Sequence, residues 1–85
     1  MPKSVFTDSY ASFLEVLVNA RKAAGMSQVE LARRLGRRQP FISLLETGER
    51  RIDIVEFYAI ARAIGSDPAE LFVAAVRTFP KRMQI

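Results

Sequence analysis

The chain of 85 residues contains no cysteine and no histidine. Without cysteine it can form no disulfide bond, thiolate metal site or cysteine nucleophile, and without histidine it lacks the most common general base and metal ligand. It also shows no glycine-rich phosphate loop and no pair of acids typical of a catalytic cleft. We therefore expect a protein that is not an enzyme and that binds no metal or cofactor.

Long apolar runs are absent as well. No run approaches the roughly 18 residues that are needed to cross a bilayer. Residues 1–10 include Asp8 and contain no apolar core of signal-peptide length. These absences predict no membrane partner and a cytoplasmic location.

The length of the chain indicates one small domain. A chain of this size buries only about 60 to 65 % of the surface that its unfolded form exposes, which leaves little room for a deep pocket. Its 49 % apolar and 26 % charged residues are ordinary globular usage. We expect a single domain over residues 1–85, with an N-terminal arm at 1–7 and a C-terminal tail at 78–85.

The net charge of +4 is concentrated in one stretch of the sequence. Residues 21–51 hold eight cationic and three acidic side chains, so the rest of the chain carries a small negative charge. Seven of the eight cations are arginine, whose forked guanidinium group suits phosphates and guanine edges. This distribution is typical of a nucleic-acid-binding protein, although a solvated basic surface would have the same composition.

Glycine and proline divide the chain into short segments of helical periodicity. The dividing residues are Gly25, Gly36, Gly48, Gly65 and Pro80. The first segment begins at Thr7 or Asp8, either of which can cap a helix. No segment shows the two-residue alternation of a strand, so the pattern predicts five short helices and an all-α fold.

Three of the helices carry start signals in the sequence. Ser27 and Glu30 are three residues apart, as in a capping box, and Asp53 and Glu56 repeat that spacing. Asp67 is followed by proline, an order typical of an N-cap and a first helical turn. We expect helices 2, 4 and 5 to begin at these three caps.

The apolar residues of helices 2 and 4 recur at helical spacing, and we expect them to face the core. For helix 2 this inner face is predicted to consist of Val29, Leu31, Ala32 and Leu35. For helix 4 it is predicted to consist of Ile54, Phe57, Ile60, Ala61 and Ile64.

Helices 2 and 3 together have the sequence form of a helix-turn-helix. Only a few residues with Gly36 separate them, Ala32 is small where they would cross, and Ile42 and Leu45 reach back into the core. The segments SQVELARRLG, FISLLETGERR and FYAIARAIGSDPAELF resemble the phage-repressor and Cro-like helix-turn-helix family, also called the XRE family of bacterial regulators. The resemblance is strongest over residues 13–73. It implies a five-helix phage-repressor-like domain that binds double-stranded DNA through helices 2 and 3.

The resemblance also implies roles for four side chains. Gln39, at the start of helix 3, matches the base-reading glutamine of the family, and glutamine can pair with the N6/N7 edge of adenine. Gln28, at the start of helix 2, matches a position that contacts a DNA phosphate. Arg21 and Glu46 match positions that form an ion pair between helices 1 and 3, so their role would be structural.

The rest of helix 3 departs partly from the family pattern. Pro40 and Leu44 stand where polar residues are usual; Leu44 could touch a thymine methyl group, or form a small protein-binding patch with Pro40 and Phe41. Ser43 can bond a phosphate or a base edge, or be a plain exposed residue. The predicted base-reading set is Gln39, Pro40, Ser43 and Leu44.

Four arginines flank helix 3 in the sequence. Arg37 and Arg38 precede it, and Arg50 and Arg51 follow the loop after Gly48, the region from which family members grip the DNA backbone. Together with Gln28 they form the predicted backbone-contacting set, with a solvated surface as the alternative for each. Arg37 replaces the aliphatic residue usual after the turn glycine, which indicates a turn opened slightly toward solvent or DNA.

The expected function is a sequence-specific, DNA-binding transcriptional regulator, a repressor that binds a palindromic operator as a homodimer. The predicted dimer interface on helix 5 consists of Phe72, Val73, Val76 and Phe79, although these residues could instead wrap around helix 1 of their own chain. The alternative function is a protein-interaction module, such as an antitoxin or antirepressor, in which DNA binding is secondary. Steep weakening of binding with salt would favour DNA over an apolar protein contact.

Overall fold

The structure, a computed structural model, describes residues 7–84. Within this range the chain forms five α-helices and no strand, which confirms the predicted all-α class. The helices are α1 Asp8–Ala23, α2 Gln28–Arg34, α3 Gln39–Thr47, α4 Ile54–Ile64 and α5 Pro68–Val76. The predicted N-terminal arm lies outside the described residues except for Thr7, and residues 78–84 contain no helix.

Short-range capping explains where most helices begin. Asp53 and Glu56 form both halves of a capping box at the start of α4, as predicted. Ser27 caps α2 by accepting from the Glu30 amide, but the Glu30 carboxylate does not return to Ser27. It binds the side chains of Arg33 and Arg34 instead, so only half of the second predicted capping box forms.

The turn between α2 and α3 requires a left-handed residue. Gly36 has φ +70°, a conformation that side-chain-bearing residues rarely adopt. The turn is closed by the Arg37 amide, which donates to the Ala32 carbonyl oxygen at 2.8 Å. This geometry ends α2 sharply and allows α3 to begin three residues after the glycine.

All five helices contribute to one apolar core. Its central members include Leu31 and Ala32 of α2, Ile42 and Leu45 of α3, and Phe57 of α4. Leu17 of α1 and Leu71 of α5 close the cluster. Because Ala32, Ile42 and Leu45 are each about 1 % exposed, α2 and α3 pack as a rigid pair on the rest of the domain.

Two residues that the periodicity places in the core are exposed. Val29 is 63 % exposed, because it is two residues from Leu31 and a separation of two turns a side chain to the other side of a helix. Ile54 is 71 % exposed at the first position of α4, and its neighbours Asp53 and Val55 lie at the surface as well. The predicted inner faces of helices 2 and 4 were therefore wrong at these two positions.

Candidate nucleic-acid interface

The N-terminal end of α3 is joined to the interior by a chain of side-chain hydrogen bonds. Gln39 Nε2 donates to Gln28 Oε1 at 2.6 Å, and Gln28 Nε2 donates to Glu46 Oε1 at 2.8 Å. Arg21 donates to both carboxylate oxygens of Glu46, at 2.6 and 2.9 Å. The structure thus connects four side chains for which the sequence predicts three different roles.

Arg21 is the buried end of this chain. It is 7 % exposed, and a third donor, Nη1, bonds the Met26 carbonyl oxygen at 2.7 Å. Within residues 7–84 no buried side-chain nitrogen or oxygen lacks a hydrogen-bond partner. The guanidinium and the Glu46 carboxylate are therefore compensated, as buried charges must be.

The carboxylate sets the direction of every hydrogen bond in the chain. Glu46 can only accept when ionised, so Gln28 turns its amide nitrogen toward Glu46 and its oxygen toward Gln39. Gln39 must then donate to Gln28, which leaves its own Oε1 and one N–H available. One acceptor and one donor are what a glutamine needs to bind the N6/N7 edge of adenine.

The other predicted base-reading residues occupy the surface of α3. Pro40 is exposed, Leu44 is 40 % exposed and Ser43 is half-buried. Leu44 lies outside the core because Ile42 and Leu45 take the inward positions of this short helix. A partner that docks on α3 would therefore meet a mixed surface of one amide, one hydroxyl and two apolar side chains.

Two of the predicted backbone-contacting arginines lie against the ring of Phe41. The Arg37 guanidinium lies 4.3 Å from the centroid of the Phe41 ring, and the Arg50 guanidinium lies 5.0 Å from it. Arg50 also binds Glu56 through two hydrogen bonds of 2.8 and 3.0 Å. This stacking was not predicted, because Arg37 lies outside α3 and Arg50 is nine residues from Phe41, so neither contact follows from helical spacing.

The remaining two arginines of that set differ in their surroundings. The Arg51 guanidinium lies 4.5 Å from the centroid of the Tyr10 ring. Arg38 is exposed and precedes α3, and its side chain forms no cap bond to that helix. The side chain of Arg38 has no hydrogen bond, ion pair or ring contact with residues 7–84 that would orient it.

Ion pairing lowers the number of cations available to a polyanion. The hydrogen bond from Arg50 holds the pKa of Glu56 below its ordinary value, with a further contribution from the Asp53 backbone. Arg33 and Arg34 lower the pKa of Glu30 to about 2. Four of the eight central cations, Arg21, Arg33, Arg34 and Arg50, are thus bound to acids.

The predicted dimer residues divide into exposed and half-buried positions. Phe72, Val73 and Val76 are each 43 to 46 % exposed on α5, whereas Phe79 is half-buried. Phe72 also meets Phe57 of its own chain edge-on, with ring centroids 6.1 Å apart. Phe72 thus packs one edge on α4 of its own chain and exposes the rest of its ring, and the predicted dimer interface stays a prediction.

Comparison with known proteins assigns the fold independently. A family profile described as helix-turn-helix matches residues 17–71. A solved XRE-family like protein from Pseudomonas syringae pv. tomato is 46 % identical, with a TM-score of 0.79, over 85 % of this chain and 88 % of that protein.

The clp gene regulator ClgR from C. glutamicum has a TM-score of 0.76 at 18 % identity, over 89 % of this chain and 99 % of that protein, and so shows the same fold. None of the curated proteins searched matches the chain. In residues 7–84 no helix has the length and apolarity to span a bilayer.

Proposed function

The chain belongs to the XRE family of helix-turn-helix proteins and is a DNA-binding protein of transcription regulation, and we propose that it is a sequence-specific repressor. In this proposal α3 enters the major groove, and Gln39 reads a base edge. The operator is a palindrome bound by a homodimer. Repression needs only that the bound dimer occlude a stretch of promoter DNA.

The observation that carries the proposal is the hydrogen-bond chain that ends at Gln39. Long side chains at a protein surface lose rotamer entropy when they bind, and that loss weakens discrimination. Here Gln28 holds the Gln39 amide, and the buried pair of Arg21 and Glu46 holds Gln28. The amide therefore meets the DNA already oriented, with one donor and one acceptor available.

The basic residues near α3 support contacts between the two ends of this helix and the DNA backbone. Arg37 and Arg38 lie at one end of the helix, and Arg51 follows the loop at its other end. Contacts from both ends of a helix to phosphates would fix its register in the groove. The amide of Gln28 is hydrogen-bonded to both Gln39 and Glu46. We therefore propose that Gln28 mainly positions Gln39 and that a phosphate contact is its secondary role.

Homodimer formation follows from the small size of the reading unit. A single module of this kind covers only a few base pairs, and two-fold-related half-sites multiply its affinity. The exposed side chains of Phe72, Val73 and Val76 give α5 the apolar surface that such pairing needs.

The alternative, a module that binds another protein through Pro40, Phe41 and Leu44, is supported by the exposure of Leu44. It is weakened by Phe41, whose ring is half-buried and lies beneath Arg37 and Arg50. Binding to selected DNA should fall steeply between 50 and 200 mM salt. Apolar binding of a protein to α3 would change little over the same range.

Selection of bound duplexes from a random pool tests the proposal directly. We expect an inverted repeat, and we expect Gln39→Ala to lose about 1 to 3 kcal/mol of discrimination at one or two positions of each half-site. Asn19→Ala, the same loss of an amide on the exposed surface of α1, is the control. An equal loss of affinity for all sequences would show that Gln39 positions the helix and does not read bases.

A further inference from the structure

The outer surface of α5 combines apolar residues with two opposite charges. Val73 and Val76 are 46 and 43 % exposed, and Glu70 and Arg77 are exposed beside them. Ala69, Glu70, Val73 and Arg77 line one shallow groove. The side chains of Glu70 and Arg77 have no hydrogen bond or ion pair with any other residue of 7–84 that would occupy them.

The spacing of these two charges prevents them from neutralising each other within one chain. Seven residues separate them, so they point in directions only about 20° apart around the helix axis. Along the axis they are about 10 Å apart, which is beyond the reach of an ion pair. Arg77 retains helical backbone angles, φ −64° and ψ −18°, so the same geometry extends to it.

We propose that two copies of the chain pair through α5 in antiparallel orientation, with Glu70 of each protomer bound to Arg77 of its partner. The two-fold axis then passes the helix near Val73, midway between the two charges. Each charge finds an opposite charge across the interface, and the apolar groove between them is covered by the same groove of the second copy. This inference rests on the proposed homodimer and adds its orientation and its polar contacts.

Charge complementarity selects the antiparallel orientation over the parallel one. In a parallel pair Glu70 would lie level with Glu70 of the other protomer, and Arg77 would lie level with Arg77. Both contacts would then bring like charges together. In the antiparallel pair both contacts are attractive, and the two-fold symmetry makes them equivalent.

The dimensions of α5 make the charges important for such a dimer. Its nine residues span about 13 Å, so one pair of these helices buries less than the roughly 1,600 Å² of a standard interface. Phe72 adds its exposed edge, but part of its ring is already packed on Phe57. We therefore expect a dimer that dissociates in the micromolar range and whose strength depends on salt.

Charge reversal tests the proposal by sedimentation equilibrium at micromolar concentration. Glu70→Arg alone and Arg77→Glu alone should each weaken the dimer about tenfold or more, because each replaces two attractive contacts by two repulsive ones. An equimolar mixture of the two variants should form heterodimers, since both contacts are then attractive. The variant that carries both changes should dimerise like the wild type.

Two surface variants of α1 serve as controls for net charge. Glu15→Arg and Lys22→Glu make the same changes of charge at exposed positions outside α5, and both should leave the dimer unchanged. Circular dichroism at 222 nm verifies that each variant retains its helices. A monomeric wild type would overturn both this inference and the proposed homodimer.

Other outcomes overturn the pairing alone. If Glu70→Arg and Arg77→Glu dimerise as tightly as the controls, or if their mixture forms no heterodimer, the antiparallel contact is wrong. Dissociation by Phe72→Glu in the same experiment would then show that a homodimer through α5 exists in another orientation. DNA selection with Gln39→Ala tests base reading separately from either result.

Discussion

The two surfaces that carry the proposed function are held in different ways. The start of α3 is fixed by polar contacts that lead inward, from Gln39 through Gln28 to Glu46 and the buried Arg21. The outer side of α5 has no such support, and its apolar side chains lie half in solvent. The side chains of the first surface are held by hydrogen bonds within one chain. The second surface exposes apolar side chains and two charges that are not paired within residues 7–84. A reading surface benefits from preorganisation, and an assembly surface must remain open to a second copy.

The largest effect should come from removing the buried cation that supports the reading surface. Arg21→Ala leaves the Glu46 carboxylate, whose side chain is 14 % exposed, without its partner and strips a donor from the Met26 carbonyl. We expect a loss of about 3 kcal/mol in the free energy of unfolding, measured in urea. Replacing both Arg21 and Glu46 by Met should cost less, because no buried charge is then left unpaired. Equal losses in the two proteins would contradict the account of this ion pair.

A change on α5 should leave the fold intact and act on assembly. Val73→Glu places a charge at the centre of this surface, and we expect a loss of about 2 kcal/mol in the free energy of dimerisation. Val29→Glu, at another exposed apolar position, is the matched control and should have no effect. Sedimentation equilibrium measures both variants. A Val73→Glu variant that remains dimeric would exclude this interface and remove the proposed difference between the two surfaces.

A smaller effect is expected when the link between Gln39 and the buried pair is cut. Gln28→Ala removes the acceptor that orients the Gln39 amide. We expect about 1 kcal/mol less discrimination, at the same base positions that respond to Gln39→Ala. The neighbouring exposed Val29→Ala should leave base preference unchanged. If Gln28→Ala weakens binding to every sequence alike, its main partner is a DNA phosphate and not Gln39.

The smallest effect concerns the ion pair between Arg50, in the loop after α3, and Glu56, at the start of α4. Because Arg50 lowers the pKa of Glu56, this carboxylate stabilises the fold above its ordinary pKa of about 4.3, and the contribution disappears as the pH falls below that value. Glu56→Gln should therefore be less stable than the wild type at pH 7 by under about 1 kcal/mol, and this difference should shrink as the pH is lowered to 3. Urea titrations at the two pH values measure this difference. Glu15→Gln, the same substitution at an exposed position of α1, is the control.

Local signals in the sequence predicted the helices well. Caps such as Asp53 with Glu56, and stops such as Gly65, act over three or four residues, so their effect can be read without knowledge of the fold. Val29 could have been excluded from the core locally, because it is two residues from Leu31. Periodicity failed at Ile54, which is three residues from the buried Phe57 but lies at the surface. Whether an apolar residue near a helix end is buried depends on which other helix covers it, and that is not encoded locally.

The sequence by itself determined five helices, the helix-turn-helix and the stretch in which the basic residues are concentrated, since these depend on neighbouring residues. The resemblance implied that Arg21 meets Glu46, which it does across 25 residues. Only the tertiary structure decided the partners of the other charged and polar side chains, such as Gln28, which meets Gln39 across 11 residues. Arg50 is paired with Glu56, whereas the adjacent Arg51 lies over Tyr10. The composition does not distinguish Arg50 from Arg51. Their roles differ because folding gives them different partners, and hydrogen bonds and ion pairs act only over a few ångströms.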